Sequence, residues 1–91
     1  MKRRLVDLRN LGPASARRLA AVEIRNATDL EITGPVEAYA RVRDYVPDQT
    51  SLTLLWALAG ALRDLDWRDI PPTDKADLLD ALSRRDNNPT R

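Results

Sequence analysis

The chain has 91 residues, 15 basic and 14 acidic side chains, 43% apolar residues, and neither cysteine nor histidine. That length holds one domain, and the apolar share is that of a globular fold rather than a disordered chain. The composition excludes disulfides, Cys/His zinc sites, thiol chemistry and imidazole-based triads. A net charge of +1 does not by itself mark a nucleic-acid binder.

The basic start Met1-Lys2-Arg3-Arg4 is followed by no long apolar run, so no secretory signal is read there. The longest apolar stretch, residues 54–62, is about half of what a membrane span needs. The expected location is the cytoplasm, with no membrane partner.

The apolar spacing is helical almost throughout, and no segment sustains the alternation of a strand. Leu5, Leu8 and Leu11 suit a short helical turn. Gly12-Pro13 then opens a helix, with Gly at the N-cap and Pro at N1, where the missing donor costs nothing. Its inner face is Ala16, Leu19, Ala20 and Val22, its outer face Arg17 and Arg18, and Ile24 plugs the core beyond it. The T-x-x-E spacing of Thr28 to Glu31 predicts a capping box and a short helix, ended by Thr33-Gly34-Pro35. Val36, Tyr39, Ala40, Val42 and Val46 line the next helix up to Pro47.

Thr50 or Ser51 is expected to cap a helix over residues 52 to about 65. It is apolar on most sides and so belongs at the centre of a bundle. Gly60 inside it costs about 1 kcal/mol relative to alanine, which predicts another backbone approaching closely there. After Trp67, Ile70 and Pro71-Pro72, Thr73 is expected to cap a last helix with inner face Ala76, Leu79 and Leu82, and Leu78 beside them. The expectation is all-α: a compact bundle of about five helices in one domain over residues 1–86, with a flexible tail over 87–91.

Charge is uneven along the chain. Lys2, Arg3, Arg4, Arg9, Arg17, Arg18 and Arg25 face only Asp7 and Glu23 in the first 25 residues, and the remainder is net acidic. Such a layout offers one positive face to phosphates, or else a solvated arginine-rich surface. Arginine outnumbers lysine 13 to 2 in a chain with 12 alanines, the usage of a GC-rich genome, so arginine excess alone is weak evidence for phosphate binding.

The sharper signal runs from Leu8 to Leu19. Its spacing is similar to the second half of a helix-hairpin-helix. Gly12 falls on the second glycine, Ala16 on the small residue that lets helices approach, and Asn10 on the first glycine. Asn tolerates positive φ, so the tight turn remains feasible. In that motif, backbone N–H groups and the following helix start cradle a phosphate. The candidate nucleic-acid contacts are therefore Arg9, Asn10, Gly12, Ala14, Arg17, Arg18 and Arg25. Gly-Pro before an alanine-rich helix is equally a good helix start.

Catalysis reads poorly. Asp64, Asp66 and Asp69 suit solvated turns better than a Mg²⁺ site, and no nucleophile has a base. Trp67 beside Arg68 suits a core anchor better than a stacking platform. No metal, cofactor or enzymatic activity is expected.

Residues 8–16, then Ala21-Val22-Glu23-Ile24, Thr28-Asp29-Leu30, Gly34, Val36-Glu37-Ala38-Tyr39, Ser51-Leu52, residues 54–58, Gly60-Ala61-Leu62, Trp67-Arg68 and Pro71-Pro72 together resemble the TfoX (Sxy) C-terminal domain. The resemblance implies a small helical domain with a helix-hairpin-helix-like start, found in regulators of bacterial natural competence. The better-known members act as transcriptional co-activators beside the cyclic-AMP receptor protein, without enzymatic activity or cofactor, and carry an α/β domain ahead of this one. The present chain reads as the C-terminal domain alone. It also departs in having Glu23 where the family pattern has glycine before the isoleucine.

Two functions follow. One is a non-enzymatic competence regulator or accessory factor that contacts the DNA backbone through the hairpin turn, with a transcription factor or a separate N-terminal-domain protein as partner. The other is a protein–protein interaction module, a homodimer or adaptor, in which apolar helices or a Tyr39/Tyr45 face meet a partner without DNA.

Overall fold

Glycine-proline pairs open two of the helices. The computed structural model of the protein describes residues 3–87 and contains α1 (Pro13–Ala21), α2 (Ala27–Thr33), α3 (Pro35–Tyr45), α4 (Leu52–Arg63) and α5 (Pro72–Asn87), with single 3₁₀ turns at Leu5–Asp7, Pro47–Gln49 and Trp67–Asp69. Among the described residues there is no strand, only an isolated antiparallel bridge between Arg4 and Asn26. The all-α expectation holds. The rest of the expected tail, residues 88–91, lies outside the described residues, as do Met1 and Lys2.

The core is aliphatic. Leu19, Ile24, Leu30, Val42, Leu55 and Leu58 are its largest fully buried side chains, each contributing roughly 1.5–3 kcal/mol by burial. The neighbours α3 and α4 form its main pairing, with Ala38 and Ala40 on one and Ala57 and Ala61 on the other also buried. Ile24 reaches the core as expected.

Three local details differ from the sequence expectation. The second helix starts at Ala27, not at Thr28. Asn26 is its N-cap, accepting the Asp29 N–H at 2.9 Å, while the Asp29 carboxylate accepts the Arg25 N–H at 3.0 Å. Asn26 wins because its bond from Asp29 N–H and the Asp29 carboxylate's bond from Arg25 N–H satisfy two donors at once. The last helix starts at Pro72, with the Pro71 carbonyl accepting Lys75 N–H at 3.0 Å, so Thr73 lies within the first turn rather than capping it. Its inner face is turned from the expected one: Leu78 and Leu82 pack inward, while Ala76 and Leu79 are exposed.

Ion pairs hold that rotation. Arg85 bonds Glu37 at 2.8 Å, Arg43 forks onto Asp86 with two bonds of 3.0 Å, and Arg63 reaches Asp74 at 2.6 Å. The Arg85 hydrogen bonds hold the Glu37 carboxyl below the usual carboxylate range against its partial burial, and those from Arg43 do the same for Asp86.

Helix α1 ends in a hydrogen-bonded αL cap. Ile24 N–H donates to Leu19 O at 2.9 Å and Glu23 N–H to Ala20 O at 3.1 Å, with Glu23 at φ +72°. This is the bonding of a Schellman motif, with Ile24 and Leu19 both buried as its apolar pair. A glutamate there adopts a conformation that glycine takes without steric cost. Glu23→Gly is therefore expected to stabilise the fold by about 0.5–1 kcal/mol, allowing for glycine's freer unfolded chain. The Glu23–Arg25 ion pair it removes is exposed and carries little. Chemical denaturation checks this, and a loss of stability would count against the assigned cap.

Candidate nucleic-acid interface

The turn before α1 is built around Asn10 at φ +74°, so the tight turn tolerated by the sequence is formed. Among the described residues only the 3₁₀ turn Leu5–Asp7 precedes it, where a full helix-hairpin-helix would place a helix. The Asn10 side chain faces inward. Its amide nitrogen donates to Leu65 O at 2.8 Å and Ala57 O at 3.3 Å, and its oxygen accepts Trp67 N–H at 3.1 Å. Arg9 beside it donates to Asp64 O at 3.3 Å. The turn thus clamps the C-terminal end of α4, where backbone carbonyls lack helical partners and positive charge is favourable. Of the candidate contacts, the Asn10 side chain is committed to the fold.

The expected close approach at Gly60 is present, and it comes from two sides. A Cβ built at Gly60 would lie 2.5 Å from Leu65 O and 2.6 Å from the Asn10 amide nitrogen. Leu65 returns over Gly60 because Asp64 takes the αL conformation at φ +54° and Leu65 N–H bonds Gly60 O at 2.8 Å. That reversal also ends α4 at Arg63, short of the expected Leu65.

Gly12 is the N-cap of α1 with Pro13 at N1, as expected, and open space lies where a Cβ would be. No side chain caps this helix start, so the N–H groups of Ala14 and Ser15 lack helical partners there. Arg17 is exposed, and Arg18 is partly covered and bonds the Gln49 side chain at 3.3 Å. Arg25 pairs with Glu23 at 2.9 Å.

The arginines divide by partner. Among the described residues Arg25, Arg41, Arg43, Arg63, Arg68, Arg84 and Arg85 each have a carboxylate oxygen within 4.0 Å, and so does Arg4, whereas Arg3, Arg9, Arg17 and Arg18 have none. Half of the acidic residues beyond Arg25, namely Glu37, Asp44, Asp66, Asp74, Asp80 and Asp86, are thus paired with the chain's own arginines. The arginines left without carboxylate partners gather on and before α1, and Lys75 of α5, the other unpaired cation among the described residues, lies over the Trp56 ring at 5.3 Å.

The expected Tyr39/Tyr45 face does not form. Tyr39 is 5% exposed in the core and Tyr45 is 59% exposed, because six residues on a helix make about one and two-thirds turns and leave the two side chains about 120° apart. Nor is Trp67 an open platform, since the Arg68 guanidinium lies over its ring at 5.8 Å. Arg68 in turn is fixed by Asp66, whose carboxyl its hydrogen bonds hold below the usual range. Sequence reasoning passed over Gln49, which has no local signature and matters only because it faces Arg18.

No helix among the described residues is long and apolar enough to cross a membrane. Comparison with solved structures finds the same fold in two crystal structures from Listeria monocytogenes. One, an uncharacterized protein in a triclinic form, has 22% identity and a TM-score of 0.80, covering 97% of this chain and 99% of that one. The other, a protein of unknown function in a tetragonal form, has 25% identity and a TM-score of 0.76, covering 84% of this chain and 93% of that one. No curated protein matches the chain. The family profile described as the TfoX C-terminal domain matches residues 1–82.

Proposed function

Because the chain belongs to the TfoX C-terminal domain family, we propose that it is a non-enzymatic regulator or accessory factor of bacterial competence for DNA uptake that contacts the DNA backbone. The contact surface is the turn before α1 and the exposed side of α1. Arg9, Arg17 and Arg18 supply charge to phosphates, and the uncapped Ala14 and Ser15 N–H groups at the Gly12 helix start donate to a phosphate oxygen. Arg25 contributes less, being shared with Glu23. The observation that carries this reading is the division of the arginines, with those of α1 alone left without a carboxylate partner among the helix-borne arginines of the described residues.

Backbone contact of this kind is sequence-tolerant and falls linearly on a log–log salt plot, with a slope of roughly −3 for three phosphates. Fluorescence anisotropy of a labelled duplex, titrated at several salt concentrations, measures it. Arg17→Glu/Arg18→Glu is expected to weaken binding at least tenfold, about 1.4 kcal/mol or more, while stability changes by no more than about 0.5 kcal/mol. Well-folded protein that ignores the duplex at low salt would remove this reading. The interaction-module reading would then stand, on the apolar groove lined by Pro35, Ala59, Leu62 and Leu78. It predicts self-association or partner binding that is indifferent to salt.

A further inference from the structure

A groove of about 320 Å³ runs between α1 and the end of α3, lined by Ala14, Arg17, Arg18, Ala21, Tyr45, Val46 and Gln49. It falls at the low end of the range of small-molecule pockets, roughly 300–1,000 Å³. Its chemistry is one-sided: two cations, one amide and one aromatic ring, with no carboxylate in the lining. Asp44, adjacent to Tyr45 in the chain, is tied to Arg43 at 3.2 Å.

The ring itself is distinctive. Each of the other three aromatics already carries a cation over its face: Arg43 on Tyr39 at 5.8 Å, Arg68 on Trp67 at 5.8 Å and Lys75 on Trp56 at 5.3 Å. Tyr45 carries none among the described residues, and it is the one aromatic side chain more than half exposed. It stands beside the two α1 arginines that lack carboxylate partners. An uncovered ring flanked by phosphate-binding cations is the arrangement on which unpaired bases stack in single-strand binders.

We propose that this groove is a nucleobase-stacking subsite for single-stranded DNA. An unpaired base lies on the Tyr45 ring, while Arg17 and Arg18 hold the phosphates on either side of it. The Gln49 amide keeps Arg18 on the groove wall through their 3.3 Å bond. The inference rests on the backbone-contact reading above and adds to it a preference for unpaired strands, because bases within a duplex cannot reach the ring.

The test compares a labelled oligothymidylate of about a dozen nucleotides with a duplex of the same length by anisotropy at low salt, a length within the site sizes of such binders. Tyr45→Ala and Tyr45→Leu are both expected to weaken single-strand binding roughly tenfold, while Tyr45→Phe, which keeps the ring, preserves it. Duplex binding is expected to stay within about twofold for all three, because phosphate contacts carry no base information. Tyr45→Leu keeps apolar bulk at this exposed position, so a folding defect in the alanine variant would not mask the result. Equal losses on both DNA forms, or no loss on the single strand, would overturn the subsite and leave the backbone reading intact. Wild-type protein that binds neither form would overturn the backbone reading, and the subsite with it.

Discussion

Gly60→Ala is expected to destabilise the domain by about 3 kcal/mol, lowering Tm by roughly 10–20 °C. Helix propensity alone argues the reverse, since alanine in a helix interior is favoured over glycine by about 1 kcal/mol. The contact geometry decides the sign. A Cβ at Gly60 would sit 2.5 Å from the Leu65 carbonyl oxygen and 2.6 Å from the Asn10 amide nitrogen, and neither neighbour is the free end of a flexible side chain. Leu65 is held by its own N–H bond to Gly60 O at 2.8 Å, and the Asn10 amide by its bond to Leu65 O at 2.8 Å. The methyl group therefore displaces the chain reversal after α4 and the turn before α1 together. Thermal and urea melts measure the effect, and a stability gain near the propensity value would mean that the approach over Gly60 is looser than described.

Much of this fold is legible in the sequence because helix signals are local. The Gly12-Pro13 and Gly34-Pro35 starts, the fully apolar stretch of α4 and the core plug Ile24 need only neighbours three or four residues away to be recognised. Gly60 announced a close approach by being a poor helix residue in an otherwise strong helix. What approaches it was not legible, because Asn10 and Leu65 come from 50 residues upstream and from beyond the helix end. Competing local signals misled at two places. Asn26 and Thr28 both open capping patterns within three residues, and only the Asn26–Asp29 bond separates them. Helix α5 carries leucines on two faces, and long-range pairs such as Arg85–Glu37 and Arg63–Asp74 choose between them.

The same division governs the candidate site. A basic face on α1 was readable from spacing. Which arginines stay unneutralised was not, since Arg43 finds Asp86 and Arg85 finds Glu37 across more than 40 residues. Asn10 shows the limit most sharply. Its place in a helix-hairpin-helix-like spacing suggested a phosphate contact, whereas its side chain serves the packing of the turn against α4.

Asn10→Ala should therefore cost stability, by about 3 kcal/mol. The substitution removes three hydrogen bonds, to Leu65 O, Ala57 O and Trp67 N–H, and places a Cβ-bearing residue without a local polar group at φ +74°. Asn10→Gly separates the two causes. Glycine accepts the turn conformation freely, so it should recover about 1 kcal/mol of the alanine loss and leave the hydrogen-bond share exposed. Arg9, Arg17 and Arg18 remain in place in this variant. DNA binding by the folded Asn10→Gly protein should then stay within about threefold of wild type if phosphates meet the arginines and the α1 start, because the lost bonds face inward. Full stability with lost DNA binding would reverse the assignment, making Asn10 a contact residue. A double-mutant cycle with Gly60→Ala supplies the cross-check. The Asn10 amide is one of the two groups the new methyl would strike, so the paired loss should fall short of the sum of the single losses by about 1 kcal/mol.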